Sequence, residues 1–286
     1  MKKIITVLMV LLAASAFVFA NGQQDAAGSS SVELSFAGNY AFGGSTTVEP
    51  IVRAAAESFQ EMYPLVKISY DAPGSSAGVK GALAGTYSIG AASRSLKSSE
   101  IEAGAIPYAV AKDGVAVVLN KGTVPMDNMA LKDVIAIYAG EITNWKALGG
   151  PDAEIVVYNR DEASGTRSCF KDATVKTQKK SFTENAAIVT SNGDMVSKVG
   201  STPYAIGYCG FGYIGKDAGT KAVTVNKIPP TPANVLNASY AVARELILIT
   251  KGDLVAGSLE EAFINYIMSE EGQEIVAEEK FIPINS

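Results

Sequence analysis

Hydrophobic and polar positions alternate along this chain with two different periods. Runs in which every second residue, or every residue, is apolar predict strands at Val32–Phe36, 66–70, 87–91, 114–120, 155–158, 204–208 and 244–250. Runs in which apolar residues recur every three or four positions predict helices at 48–62, 78–85, 131–138 and from Leu259 onward. Ser99 with Glu102, and Ser258 with Glu261, show the spacing of a capping box at a helix start. Strands followed by helices in this order predict an α/β fold.

The order of these segments predicts two lobes. The run GVAVVLN at 114–120 is continuously apolar, which is typical of a strand buried on both faces, and it leads toward a second lobe. A Pro-rich connector at 227–237 precedes the strand that returns. We therefore expect lobe 1 to comprise residues 32–112 and 239–286, and lobe 2 residues 113–238. Each lobe would be a central sheet flanked by helices, and two crossover segments would form a hinge.

The first 31 residues differ in character from the rest. A basic start is followed by an apolar run from Ile4 to Phe19 and by small residues up to Ala20, which predicts a secretory signal peptide (1–20) cleaved after Ala20. Asn21 follows the cut where a lipoprotein would need Cys, so no lipid anchor is predicted. Residues 21–31 are small and polar, as in a flexible leader. We expect a periplasmic protein.

Charge and composition exclude several classes of function. The sequence has 24 basic and 29 acidic residues, and cleavage would remove Lys2 and Lys3, so the mature net charge would be −7. That balance argues against nucleic acid or an anionic membrane as a partner. The sequence contains no His, which rules out a Ser-His-Asp triad and nearly all zinc sites, so neither a metal nor a cofactor is predicted. Cys169 and Cys209 could pair in an oxidising compartment or remain free.

Three predicted strand-to-helix junctions share glycine and small hydroxyl residues. They are residues 44–47 (GSTT), 74–76 (GSS) and 164–166 (SGT), and Arg160 lies four residues before Ser164. A helix N-terminus presents unpaired N–H groups, glycine allows close approach to the backbone, and Arg adds a permanent cation. In α/β sheets, ligands lie at the carboxyl ends of strands, where these junctions fall. The pattern predicts an anion site gripped by both lobes.

One enzymatic alternative remains open at the second junction. GSSAG at 74–78 fits the G-x-S-x-G nucleophile elbow of hydrolases, with Ser76 as the nucleophile. Without His, only Lys80 could serve as the base, and no second motif of the penicillin-binding type accompanies it. A binding protein, not an enzyme, is therefore the preferred interpretation.

The motifs also resemble a known family, the phosphate-binding proteins of high-affinity phosphate ABC importers, within the type II periplasmic binding proteins. The resemblance covers nearly all of the mature chain, through GGSTTVEP, YDAPGSSAGVKGAL, IGAASRSL, EITNWKALGG, RDEASGTRSCF and AIGYCGFGYI in that order. It implies two lobes, a cleft for one dehydrated inorganic phosphate, and delivery to membrane permease subunits powered by a separate ATPase. We also expect a monomer. By position, the implied ligands are Thr46, Thr47, Ser75, Arg160, Ser164, Gly165 and Thr166.

The sequence departs from the family pattern at one position. Some members carry Asp after GAS, which accepts a hydrogen bond from the phosphate proton, whereas this chain has Ser93 followed by Arg94. Ser93 would then supply a hydroxyl and Arg94 a second cation, which keeps sulfate and molybdate open as alternative ligands. Glu162 is the candidate for the remaining proton acceptor, or else it orients Arg160 through a salt bridge, as Asp161 could.

Overall fold

The computed structural model describes residues 36–285, so the predicted signal peptide and leader lie outside the described residues. The strands of this range are β1 (Gly38–Gly44), β2 (Val66–Asp71), β3 (Ile89–Ala92), β4 (Ala105–Asn120), β5 (Asn128–Met129), β6 (Val156–Arg160), β7 (Ala187–Val189), β8 (Ala205–Gly210), β9 (Thr220–Ala222), β10 (Thr224–Val225), β11 (Ala243–Lys251) and β12 (Ile282–Pro283). Its α-helices are α1 (Glu49–Met62), α2 (Ser75–Ala84), α3 (Ser98–Glu102), α4 (Leu131–Tyr138), α5 (Gly165–Ala173), α6 (Asn192–Ser201), α7 (Pro232–Leu236), α8 (Leu259–Met268) and α9 (Glu270–Glu278). The predicted α/β character is confirmed.

Most strands join one mixed sheet in the order β2-β1-β3-β11-β4-β8-β6-β7, with β9 and β12 also paired to β4. At one flank β1 runs parallel to β2 and β3, and at the other β6 runs parallel to β7 and β8. Between these flanks, β11 and β4 are antiparallel to each other and to their outer neighbours. Because parallel strands need crossover helices, each flank brings helix starts to the carboxyl ends of its strands.

Strand β4 crosses the middle of the molecule. Its first part pairs with β11, from Ala105 opposite Lys251 to Gly114 opposite Ala243, and its second part pairs with β8 from Val115 onward. The second part is buried throughout, as the apolar run at 114–120 predicted. One continuous strand therefore belongs to two different regions of the sheet.

Two large hydrophobic cores lie on either side of this crossing. The first draws its buried residues from 36–111 and 246–281, and the second from 115–242 with Ile282. In the first, Phe59 and Phe263 meet edge to face at 5.3 Å, and in the second, Phe170 and Tyr208 stack at 4.1 Å. The lobe boundaries given above remain a prediction. No helix within residues 36–285 is long and apolar enough to cross a membrane.

The strand expected at Val32–Phe36 lies outside the described residues except for Phe36, which packs into the first core, and the first described strand begins at Gly38. The structure corrects two other local predictions. The helix expected after Ser99 starts at Ser98, and Glu100 rather than Glu102 accepts from the Lys97 N–H. The last predicted helix is in fact two, α8 and α9, because the Ser269 hydroxyl caps a second start by accepting from Gly272 N–H.

Candidate functional site

The three hydroxyl-rich junctions meet at one buried place. Residues 45–47 follow β1, Ser75 begins α2, and Ser164 caps α5, which begins at Gly165 after β6. The Thr47 and Thr166 hydroxyl oxygens lie 3.0 Å apart, and those of Ser75 and Ser93 lie 3.3 Å apart. All four side chains are buried, and the Thr47–Thr166 contact joins residues from the two halves of the sheet. We call Thr46, Thr47, Ser75, Ser93, Ser164 and Thr166 the hydroxyl cluster.

Arg160 lies at the end of β6 with its guanidinium against the hydroxyl cluster. Its Nη2 donates to the Thr190 carbonyl at 2.8 Å and to Thr46 Oγ1 at 3.3 Å. Its Nε and Nη1 are buried and have no hydrogen-bond partner within residues 36–285. The residue is only 1% exposed, and this burial lowers the pKa of Arg160. A desolvated guanidinium with two donors to spare favours an anion as its partner.

The start of α5 approaches the first core very closely. The Ser164 hydroxyl accepts from Arg167 N–H and so caps the helix. A Cβ added at Gly165 would lie 2.3 Å from Ser75 Oγ and 2.7 Å from Ser93 Oγ. Only glycine allows this approach, which brings the positive end of the α5 dipole to the hydroxyl cluster.

A second buried arginine, which the sequence pattern did not reveal, contacts the same hydroxyl groups. Arg244 is the second residue of β11, and its Nη2 lies 2.6 Å from Asp113 Oδ2, with the two side chains 3% and 0% exposed. Its Nη1 donates to Thr166 Oγ1 at 2.9 Å, and its Nη2 to Thr47 Oγ1 at 3.3 Å. Burial raises the pKa of Asp113, while Arg244 acts to lower it. Arg244 thus links strands β4 and β11 to the hydroxyl cluster.

Asn192 is another contributor that was not predicted. As the first residue of α6, it donates from Nδ2 to Thr47 Oγ1 at 2.8 Å and to Thr46 Oγ1 at 3.2 Å. Its Oδ1 accepts from Gly210 N–H at 3.2 Å. The available signal was the S-x-x-D spacing at 191–194, which marks a helix start.

Two predicted site residues pair with charged neighbours. The Arg94 guanidinium pairs with Glu100 at 2.8 Å and its Nη2 lies 3.5 Å from Ser76 Oγ, whereas Arg244 donates directly to Thr166 of the hydroxyl cluster. Glu162 is 84% exposed and pairs with Arg167 at 2.6 Å. The expected ion pair between Glu162 and Arg160 is wrong, and an exposed carboxylate held by Arg167 does not suit the role of buried proton acceptor.

The other candidate groups, for catalysis, a disulfide or a metal site, are not arranged for those roles in the described residues. Lys80 is exposed on α2, whereas a catalytic base for Ser76 would need to be desolvated beside it. Cys169 and Cys209 are both free, and burial raises the pKa of Cys209 to about 12. Within residues 36–285, no group of three or more acidic or thiol side chains is placed to hold a metal ion.

Comparison with known proteins shows extensive similarity. A model of the PBP superfamily domain matches residues 18–271. The chain is 35% identical to the phosphate-binding protein PstS of Borreliella burgdorferi, over 85% of this chain and 89% of that protein. It is 33% identical to the phosphate-binding protein PstS of Bacillus subtilis, over 99% of this chain and 95% of that protein.

Solved structures show the same similarity. A putative phosphate ABC transporter substrate-binding protein with bound phosphate from Clostridium perfringens superposes with a TM-score of 0.80 at 40% identity, covering 86% of this chain and all of that one. An ABC-type phosphate transport receptor from Vibrio cholerae gives a TM-score of 0.70 at 29% identity, covering 85% of this chain and 99% of that one.

Proposed function

Because this chain belongs to the PBP superfamily, we propose that it captures inorganic phosphate outside the cytoplasmic membrane and delivers it to the permease of an ABC importer. Its type II binding-protein fold is the one expected from the sequence. The names of its relatives state phosphate binding, and one similar solved structure holds phosphate. The proposal includes secretion with cleavage after Ala20 and action as a monomer, without a cofactor or a catalytic step.

The observation that carries this proposal is the buried Arg160 with two unpartnered donors. We assign to it the bidentate contact with the phosphate oxygens. The hydroxyl cluster would supply further donors, and so would the backbone N–H groups near Thr47, Gly165 and Thr166. Arg244 replaces Arg94 in this assignment because it already donates to Thr47 and Thr166.

The proposed ligand groups come from both lobes, so binding would close the lobes around the ion. Thr46, Ser75 and Ser93 belong to the proposed lobe 1, whereas Arg160 and Thr166 belong to the proposed lobe 2. An anion bonded to both sets would hold the two lobes together, with the crossings in β4 and before β11 as the hinge. The Ser76 N–H already donates to the Ala163 carbonyl at 3.1 Å across this boundary.

Calorimetric titration of the mature protein with phosphate, sulfate and molybdate tests the proposal. We expect phosphate to bind most tightly, and Arg160→Ala to weaken it by about 100-fold, since hydrogen bonds to charged groups contribute about 1.5–3 kcal/mol each. Arg53→Ala is the control, because Arg53 is an exposed arginine whose hydrogen bonds go to Glu49 and Tyr70 and not to the hydroxyl cluster. A wild-type preference for sulfate or molybdate, or an Arg160→Ala variant that binds phosphate normally, would contradict the proposal.

A further inference from the structure

A cavity of about 580 Å³ lies beside the hydroxyl cluster, between residues 94–97 and helix α5. Its lining combines exposed and buried side chains. Lys97 is exposed, Lys171 is half-buried, and Arg94 and Arg244 are almost completely buried. The cavity therefore extends from solvent toward Arg244.

The lining of this cavity is strongly basic although the protein as a whole is acidic. Six cationic side chains line it, against the two carboxylates Glu162 and Asp172. Four of the cations are paired with carboxylates, namely Arg94, Arg167, Lys176 and Arg244. Lys97 and Lys171 have no carboxylate within ion-pair distance in the described part of the chain. A concave surface with surplus positive charge concentrates small anions from solution.

Arg244 connects this cavity to the hydroxyl cluster. It lines the cavity, and its Nη1 also donates to Thr166 Oγ1 at 2.9 Å. Arg94 also lines the cavity, and its Nη2 lies 3.5 Å from the hydroxyl oxygen of Ser76, the residue after Ser75. The hydroxyl cluster is itself buried, so an anion needs a route to reach it.

We propose that this cavity is the entrance vestibule of the anion site, in which Lys97 and Lys171 attract inorganic phosphate and Arg244 passes it to the hydroxyl cluster. The inference rests on the proposed function. The two lysines act at a distance on the arriving ion rather than as ligands of the bound one. They consequently control the association rate, and salt screens their effect over about 10 Å at 0.1 M ionic strength.

The test compares association rates of radiolabelled phosphate, measured by rapid mixing followed by a chase with unlabelled phosphate. We expect Lys97→Gln/Lys171→Gln to lower the association rate constant by about tenfold at low ionic strength, while the dissociation rate constant stays unchanged. The deficit should shrink as salt is added. Lys67→Gln/Lys198→Gln is the matched control, because both lysines are exposed, neither lines the cavity, and the net charge changes equally.

Either of two results would overturn the vestibule proposal. One is a normal association rate in Lys97→Gln/Lys171→Gln, and the other is an equal loss in the control, which would assign the effect to net charge. Lys97→Gln alone provides a second variant at an exposed position, with an expected smaller loss of the same kind. A wild-type protein that binds no phosphate would instead overturn the proposed function, so the two failures are distinguishable.

Discussion

Arg160 and Arg244 are two buried guanidinium groups with different surroundings. Arg244 is neutralised by Asp113 at 2.6 Å, whereas the partners of Arg160 are the neutral oxygens of Thr190 and Thr46. The charge of Arg244 further lowers the pKa of Arg160, in addition to the larger effect of burial. A phosphate bound at this site would thus neutralise Arg160, which has no carboxylate partner in the described residues.

The pair of Arg244 and Asp113 makes a testable contribution to stability. We expect Asp113→Ala to lower the free energy of unfolding by about 3–5 kcal/mol, because it leaves the Arg244 charge buried and unpaired. Urea denaturation measures this loss. Asp152→Ala, which breaks the exposed pair with Lys146, is the control and should cost less than about 1 kcal/mol.

Replacing both partners separates the charge effect from packing. Asp113→Ala/Arg244→Met should be more stable than Asp113→Ala alone, because no unpaired charge remains. If the double variant is as unstable as the single one, the loss comes from packing and the electrostatic explanation fails.

The sequence revealed the residues whose role depends on local spacing. Arg160 and Gly165 could be predicted because a strand, a turn and a helix start lie within a few residues of each other. Arg244 could not, because its position depends on strand register, which places it opposite Asp113 on β4. Spacing alone also did not reveal that Arg94 pairs with Glu100 and Glu162 with Arg167 in the fold.

At the scale of elements, the start of α5 determines how closely the two cores approach. We expect Gly165→Ala to weaken phosphate binding about tenfold or more, because its Cβ would clash with Ser75 Oγ at 2.3 Å and overpacking costs about 1–3 kcal/mol. Calorimetric titration measures the loss. Gly193→Ala, in the first turn of α6, is the control because its Cβ would come no nearer than 3.8 Å to a neighbour. Equal affinities in the two variants would show that close approach is unnecessary.

Elements with a strong apolar period were the ones that could be predicted. Helix α4 has the predicted bounds, and α1 starts only one residue later than expected. Helix α6 was not predicted, since its sequence contains Gly193 and Gly200, which are poor helix formers. Its Met195 and Val199 pack in a small core with residues of β4 and β8, so tertiary contacts stabilise it rather than local preference.

At the scale of the whole molecule, the proposed ligand links both cores and should stabilise both. At about 100 times its Kd, phosphate should raise the free energy of unfolding by about 2.7 kcal/mol, because it binds the folded state alone. Scanning calorimetry should then show a single transition at a higher temperature. Arg160→Ala should gain only about 0.4 kcal/mol at the same phosphate concentration, because a 100-fold weaker Kd leaves that variant half saturated. A shift confined to one of two separate transitions would mean that the ion binds one core only.

The first core also has a consequence for the order in which the chain can fold. It joins residues from 36–111 to residues from 246–281, so the chain's beginning packs against its end. Strand β3 lies between β1 and β11, and that half of the sheet stays incomplete until β11 is present. During synthesis or export, the leading part of the chain must therefore wait, unfolded and exposing its apolar residues, until almost the last residue has emerged.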